Sequence, residues 1–303
     1  MLKNHTILIT GGTGSLGKAL VRIWGKHNKI VVYSRNEERQ YEMMKEFNNP
    51  NVEYRIGDVR DTETLKFALR GCDIAIHAAA MKDLVMIEHQ PTQGYLNNIE
   101  GSRSFIQAVI ETSSVKKAVA ISTDKAASPS NAYGMTKYIM ERLFIEANKN
   151  SDKIFVCSRF GNMIDSSGAL PTFWKEHPEL KVKITHPEMC RFFFTLKDAV
   201  QTVEDTIAKA KGGEIYIPKM KAAKILDILQ VVFKKEKFEV MGLFPGEKIH
   251  EDLVGESERH VCFDMGSYYV IRPGSTNKNL VEAFSTRNAK LYNKEEIKKL
   301  IYK

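Results

Sequence analysis

Between Ser122 and Lys137 the chain reads S-T-D-K-A-A-S-P-S-N-A-Y-G-M-T-K. An acid and an amine, Asp124 and Lys125, stand side by side; a phenol and a second amine, Tyr133 and Lys137, follow four residues apart. That spacing puts Tyr133 and Lys137 on one face of a helix, a turn from each other. An ammonium beside a phenol favours the phenolate, so the pair predicts a tyrosine more acidic than the free side chain, which titrates near pH ~10. Carboxylate, amine and activated phenol could together move protons on a small molecule. Y-x-x-x-K also arises by chance in ordinary helices, and an adjacent Asp-Lys pair is usually a plain salt bridge. Position has to decide.

The elements that would position these groups begin with an apolar run, Ala118 to Ile121, read as a buried strand ending at Ser122. Open α/β sheets bind ligands at such strand ends. At the start of the chain, His5 to Thr10 reads as a strand that runs into Gly11-Gly12-Thr13-Gly14-Ser15-Leu16-Gly17 and then a helix to Trp24. A glycine turn between strand and helix lets the backbone approach a pyrophosphate, which rests on the helix N-terminus. Gly11, Thr13, Gly14, Ser15, Leu16 and Gly17 are therefore expected to hold a dinucleotide.

The second strand, Ile30 to Ser34, ends in Ser34-Arg35-Asn36-Glu37-Glu38-Arg39. Ser34, Arg35 and Arg39 are expected around the adenosine ribose. Guanidinium groups match a phosphate in charge and shape, which favours NADP, while Glu37 leaves NAD open. Arg39 reads equally well as a solvated helix residue. A third strand, Val52 to Gly57, leads to Asp58 and Val59, expected at the adenine edge; Asp61 is placed to cap the helix Thr62 to Leu69. After a fourth strand, Cys72 to His77, the small residues Ala78, Ala79 and Ala80 let a cofactor lie against the backbone. His77 itself reads as a hydrogen-bonded core histidine. Lys82 and Asn98 complete the cofactor set, Asn98 within a long helix from Pro91 to Glu111, where an ordinary exposed position is an equal reading.

Alternating strands and helices continue to Phe160, giving six βα-type strands and an α/β fold with a Rossmann-type, doubly wound parallel sheet. After Arg159-Phe160-Gly161-Asn162 the rhythm changes. Residues 1–165, with a returning segment near 190–210, are expected to form the dinucleotide-binding domain; residues 166–303 are expected to form a smaller α/β substrate lobe. Asn293 and Glu296 make a capping pair for the last helix.

The chain has 303 residues and a formal charge of +8, from 45 Lys and Arg against 37 Asp and Glu. Such a balance suits anionic small molecules. The basic residues are scattered apart from Lys234-Lys235-Glu236-Lys237 and the tail from Lys294 to Lys303, both read as solvated helix faces. No stripe of interleaved basic and aromatic residues appears, so nucleic acid is not an expected partner. Four cysteines lie far apart, with no pattern for a disulfide framework or a zinc site, and no metal is expected. No apolar run approaches the ~18 residues of a membrane span and no signal-peptide layout opens the chain, so a cytoplasmic protein without a membrane partner is expected.

With these residues set out, the chain resembles the extended short-chain dehydrogenases/reductases through T-G-G-T-G-S-L-G and Y-G-M-T-K. It is more closely similar to the soluble, inverting UDP-N-acetylglucosamine 4,6-dehydratases. That likeness is carried by A-A-A-M-K (78–82), S-T-D-K-A (122–126), R-F-G-N (159–162), R-F (191–192), G-G-E-I-Y-I-P-K (212–219) and P-G-E-K-I-H-E-D-L (245–253). It implies a redox-neutral lyase using NADP and a UDP-sugar, assembled as a homo-oligomer from dimer to hexamer. In it Tyr133 takes the 4-hydroxyl proton, Lys137 holds the nicotinamide ribose, Lys125 is the base at carbon 5 and Asp124 the acid at the 6-hydroxyl. Met81, Lys82, Thr123, Asn162, Arg191, Lys219, Glu247 and Arg259 are the substrate contacts it implies. The chain departs from the family where Ser167 and Phe244 replace common arginines, removing two potential nucleotide contacts. A 4-epimerase, or a dehydratase that retains carbon 5, is the alternative on the same fold.

Overall fold

A computed structural model describes residues 2–166, 168–177, 182–233 and 238–302. Ser167, the run Lys234 to Lys237 and the terminal Lys303 lie outside the described residues.

Six parallel strands build the first part of the main sheet: β1 (Thr6–Thr10), β2 (Lys29–Ser34), β3 (Val52–Ile56), β4 (Ile74–His77), β5 (Lys117–Thr123) and β6 (Ile154–Phe160). Their runs of Ile, Val and Ala are apolar on both sides because helices cover both sheet faces. Ile7 of β1 stands between Ile30 and Ile74 in register. The crossovers are α1 (Ser15–Trp24), α2 (Glu37–Phe47), α3 (Thr62–Leu69), α4 (Leu84–His89), α5 (Pro91–Gly94), α6 (Gly101–Glu111) and α7 (Ala132–Lys149). Asp61 caps α3 by accepting from the amides of Glu63 and Thr64, as its position foretold.

The helix expected from Pro91 to Glu111 is not uniform: residues Tyr95–Glu100 form a π-helical turn between α5 and α6. Such bulges shift the phase of the side chains that follow. His77 is a core residue, with Nδ1 on the Thr10 hydroxyl at 3.0 Å and Nε2 on the Ser102 hydroxyl at 3.0 Å.

The later part of the chain adds β7 (Asn162–Met163), α8 (Leu170–Glu176), β8 (Lys183–Ile184), β9 (Cys190–Phe194), α9 (Leu196–Lys209), β10 (Ile215–Pro218), β11 (Lys221–Lys224) and α10 (Ile225–Phe233). It ends with β12 (Glu239–Val240), β13 (Asp252–Val254), β14 (Cys262–Asp264), β15 (Tyr268–Ile271), β16 (Phe284–Ser285) and α11 (Lys294–Ile301). Three of these strands join the main sheet, whose full order is β14-β15-β10-β6-β5-β4-β1-β2-β3. β10 runs parallel to β6, and β15 and β14 close the edge antiparallel. α9 packs beside α1, where the Trp24 indole donates to Glu204 at 2.8 Å. Among the remaining pieces, α8, β8, α10 and α11 surround a second, smaller core of Ile164, Trp174, Ile184, Phe193, Ile228, Leu229 and Ile297. Asn293 and Glu296 form the capping box of α11.

One buried ion cluster ties these parts together. Arg159 on β6 is 0% exposed and makes paired hydrogen bonds to Glu141 of α7 (2.8 and 2.6 Å) and to Glu258 (2.7 and 2.8 Å). A further bond reaches the Leu253 carbonyl at 3.1 Å. Burial opposes the Glu141 charge, but the two Arg159 contacts outweigh it and hold that carboxyl below its usual range. Replacing one partner strands the others in a dry site, so Arg159→Met should lower stability by about 3–5 kcal/mol in urea unfolding. A loss under about 1 kcal/mol would show that the cluster relaxes into water instead.

Candidate active site

The carboxyl ends of β1, β2, β4, β5 and β6 open on a groove of about 830 Å³. Its floor begins at Gly11, whose φ is +66° and where a Cβ would lie 2.8 Å from the Ala79 backbone, so no side chain fits. Gly17 is equally constrained, since a Cβ there would lie 2.4 Å from the Gly12 carbonyl oxygen. These two contacts press the first turn of α1 against both the β1 turn and the β4 loop. The N-cap, Gly14, brings no side-chain acceptor, and no acidic residue occupies the first turn of α1. Helix amides and a bare backbone are thus turned to the groove, a cradle that fits a pyrophosphate.

Most residues singled out from the sequence meet here. Gly11, Thr13, Gly14, Ser15, Leu16, Gly17, Ser34, Arg35, Arg39, Val59, Ala78, Ala79, Ala80 and Lys82 line one part, and Thr123, Lys125, Tyr133, Lys137, Asn162, Arg191 and Glu247 line the other. Asn98 supports the wall from behind. Its amide accepts from Met81 N and donates to Met81 O, both at 2.8 Å, and donates to the Thr136 hydroxyl at 3.0 Å. Asp58 is occupied by Arg60 at 2.6 Å and lies 3.5 Å from Arg35, so its carboxylate braces a guanidinium at the groove rim.

The structure does not bring Lys219 and Arg259 to the groove. Lys219 clasps both oxygens of Asp264 at 2.7 Å, and Arg259 donates to the Val281 carbonyl at 2.9 Å and pairs with Glu256. Isolated cations carry no spatial address in a sequence, which is why these two were misplaced.

At the end of β5, Asp124 and Lys125 form one helical turn that leads toward α7. The Lys125 ammonium donates to Asp124 Oδ1 at 3.0 Å, and Thr123 donates its hydroxyl to the same oxygen at 2.8 Å. Asp124 is 1% exposed, and its Oδ2 has no hydrogen-bond partner among the described residues. A second carboxylate, Glu251, 2% exposed, stands 3.8 Å from the Lys125 amine and 3.1 Å from the Lys248 amine. Sequence reading passed over Glu251, although it sits inside P-G-E-K-I-H-E-D-L. A buried-charge position following a turn was the signal available.

Tight packing fixes this arrangement. A Cβ at Gly134 would lie 2.4 Å from the Lys125 carbonyl oxygen, so α7 sits directly on the Asp-Lys turn. Asn131 caps α7 by accepting from Gly134 N at 2.8 Å, and its amide donates to the Gly246 carbonyl at 3.1 Å. Ser130 donates to the same carbonyl at 2.8 Å.

The phenol does not behave as its spacing predicted. Burial and the Asp124 carboxylate push the Tyr133 pKa well up, and a hydrogen bond with Thr123 only partly offsets them. The Lys137 amine instead donates to the Ile121 carbonyl at 2.6 Å and to Met140 Sδ at 3.0 Å. Its own pKa is lowered to about 8, chiefly by burial. Tyr133 and Lys137 both line the groove, but the charge that acts on the phenol is Asp124.

A profile of the family described as polysaccharide biosynthesis protein matches residues 7–273. The chain is 39% identical, over 282 residues, to a UDP-N-acetylglucosamine 4,6-dehydratase (inverting) of Campylobacter jejuni subsp. jejuni serotype O:2, covering 90% of this chain and 84% of that one. It is 33% identical over 329 residues to a UDP-glucose 4-epimerase of Rickettsia bellii, covering 99% and 96%. The X-ray structure of Pen from Bacillus thuringiensis superposes with a TM-score of 0.93 at 32% identity, covering 99% of this chain and 97% of the other.

The buried Lys137 has a measurable signature. Between its folded pKa of about 8 and the ordinary 10.5, the unfolded chain binds more protons than the folded one, so stability rises with pH across that window. Relative to Lys137→Met, the wild type should gain up to about 3 kcal/mol in urea unfolding from pH ~8 to ~10.5. Parallel pH profiles would refute the assignment.

Proposed function

The chain belongs to the polysaccharide biosynthesis protein family, and we propose that it is a nucleotide-sugar 4,6-dehydratase. It converts UDP-N-acetylglucosamine to the UDP-4-keto-6-deoxy sugar with inversion at carbon 5. The observation that carries this reading is the Asp124–Lys125 pair, held at 3.0 Å beside Tyr133 in a chain 39% identical to an inverting dehydratase.

The glycine cradle fits a nicotinamide dinucleotide: Gly11 to Gly17 would hold its pyrophosphate, Ala78 to Ala80 its flat face, and Tyr133 and Lys137 its nicotinamide ribose. Arg35 and Arg39 line the groove whereas Glu37 does not, which supports NADP over NAD. When bound, the group supplies reversible hydride storage, so the overall dehydration is redox-neutral.

The residues then divide the proton work. Tyr133 would take the proton of the 4-hydroxyl as the phenolate, a form that burial and the Asp124 charge oppose and that a cationic nicotinamide beside it would favour. Once carbon 4 is a ketone, the proton on carbon 5 is acidic, and Lys125 removes it. Asp124 gives a proton to the departing 6-hydroxyl, which leaves as water. Lys125 later returns a proton to carbon 5 on the opposite face.

The 3.0 Å Asp124–Lys125 contact holds the same number of protons as carboxylate–ammonium or as acid–amine. Shifting one proton along it yields the reactive form with no uptake from water. Arg191, whose guanidinium lies 3.7 Å from Glu247, and Asn162 line the sugar-nucleotide end.

The Rickettsia relative keeps 4-epimerisation as a second reading, and one experiment separates them. Incubation with UDP-N-acetylglucosamine in deuterated water, followed by proton NMR, should give a 4-keto-6-deoxy product with deuterium at an inverted carbon 5. UDP-N-acetylgalactosamine would sink the dehydratase reading. Lys125→Ala should lose about a hundredfold or more in dehydration while still binding the dinucleotide; undiminished turnover would remove Lys125 from the mechanism. Arg39→Ala should weaken NADP about tenfold and leave NAD nearly unaffected by titration calorimetry. An equal loss for both would favour a non-specific role.

A further inference from the structure

When carbon 5 loses its proton, Lys125 acquires a charge that its nearest carboxyl group is in no state to answer. Asp124 has to be the protonated acid to release the 6-hydroxyl as water, and Lys125 has to be the neutral amine to accept the carbon 5 proton. The bond from carbon 5 to hydrogen breaks as an N–H bond forms on Lys125, and the electron pair left behind spreads into the 4-ketone. The Asp124 O–H bond then breaks, its proton joins the 6-oxygen, and water leaves as carbons 5 and 6 become doubly bonded. Between these two events Lys125 is an ammonium beside a neutral acid.

We propose that Glu251 holds Lys125 through this interval, as the standing counter-charge to the newly formed ammonium. It is a positioning residue, acting through Lys125 and not on the sugar. The inference rests on the dehydratase reading and deepens it.

Three observations support this role. Among the described residues, the Lys125 amine forms ion pairs with two carboxylates, Asp124 at 3.0 Å and Glu251 at 3.8 Å. Asp124 gives up its charge to do its work, whereas Glu251 keeps its own.

The second observation is placement. Lys125 lines the groove; Glu251 does not, and it is 2% exposed. It therefore stands behind the amine, where it attracts the ammonium without reaching the carbon 5 proton. A carboxylate sunk this deep is costly unless it faces positive charge. The Lys248 ammonium supplies part of that charge, but it is committed to the Ser128 carbonyl at 2.8 Å. It lies 3.1 Å from Glu251 Oε2, yet that oxygen has no hydrogen-bond partner among the described residues. Glu251 thus has attraction to spare for Lys125.

The third observation is rigidity. The Glu251 amide donates to the Thr286 hydroxyl at 3.2 Å, and its carbonyl accepts from the Thr286 amide at 2.9 Å and the Ser285 hydroxyl at 3.3 Å. A charge fixed before the reaction needs no reorganisation when the ammonium forms, which is what makes it effective in a dry site.

The test compares two steps on the full-length protein. Oxidation of carbon 4 depends on Tyr133 and is read from the near-ultraviolet absorbance of the reduced dinucleotide after mixing with UDP-N-acetylglucosamine. Removal of the carbon 5 proton depends on Lys125 and is read from deuterium entering preformed 4-keto-6-deoxy product in deuterated water. Glu251→Gln keeps the shape of the side chain and deletes its charge. It should slow carbon 5 exchange and net dehydration by about a hundredfold, while carbon 4 oxidation stays near the wild-type rate and reduced dinucleotide accumulates. Glu251→Asp, which keeps the charge one methylene further from the amine, should exchange about tenfold faster than Glu251→Gln.

Exchange near the wild-type rate in Glu251→Gln would overturn the counter-charge. Equal slowing of carbon 4 oxidation and carbon 5 exchange would overturn it too, by showing that Glu251 supports the whole site. So would a Glu251→Asp variant no faster than Glu251→Gln. Should Glu251→Gln not fold, Glu251→Asp decides alone: exchange slowed more than oxidation supports the proposal, and equal slowing overturns it. If the unmutated protein makes no 4-keto-6-deoxy product, the dehydratase reading fails first and the counter-charge falls with it.

Discussion

A guanidinium sealed from water holds this molecule together. Arg159 lies on β6 in the middle of the main sheet, with Glu141 of α7 on one side and Glu258 from the late part of the chain on the other. Removing three charges from water is costly, and only the paired, nearly ideal contacts make their burial tolerable. Because the cost is so steep, the three elements have little freedom to shift independently. α7 carries Tyr133 and Lys137, and the segment before Glu258 carries Lys248 and Glu251. Ser122, just before the reactive turn, donates to Glu141 at 2.6 Å and enters the same network. Position in the active site is therefore set from beneath, by electrostatics, as well as from the side, by packing.

That network also shows where sequence reading succeeds and where it stops. The βα rhythm up to Phe160 is local: each strand and helix declares itself within about ten residues, and the glycine turn falls between its strand and helix as expected. The Tyr133–Lys137 face, the Asp61 cap, the core role of His77 and the capping box of Asn293 and Glu296 are local too, and all were legible. What was missed depends on distant partners. Nothing near Ile215, Cys262 or Tyr268 tells that these strands extend the main sheet, because their registers are set against β6 and against one another. Lys219 and Arg259 could be counted but not located. Glu251 was visible as a letter, while its meeting with Lys125 spans 126 positions along the chain.

The Tyr133 result is the more instructive difference. Spacing correctly placed the phenol and Lys137 on one helix face, yet proximity along a face does not decide which charge a hydroxyl meets. The Lys137 amine is drawn away by the Ile121 carbonyl, and the formal charge that acts on the phenol is negative. Periodicity gives direction; only three-dimensional packing gives the field.

The double contact of Ser130 and Asn131 with the Gly246 carbonyl has a bearing on how such a molecule can be rebuilt. It fastens the start of one helix to a loop more than a hundred positions downstream, and Gly246 itself has room for no side chain, since a Cβ would come 2.7 Å from Asn131. The protein is consequently not modular. Cutting it after the sixth strand, or grafting its first half onto a foreign sugar-recognising half, would unfasten the reactive helix and strip α1 of its partner α9. Recombination between relatives has to carry both ends of that clasp as one inherited unit.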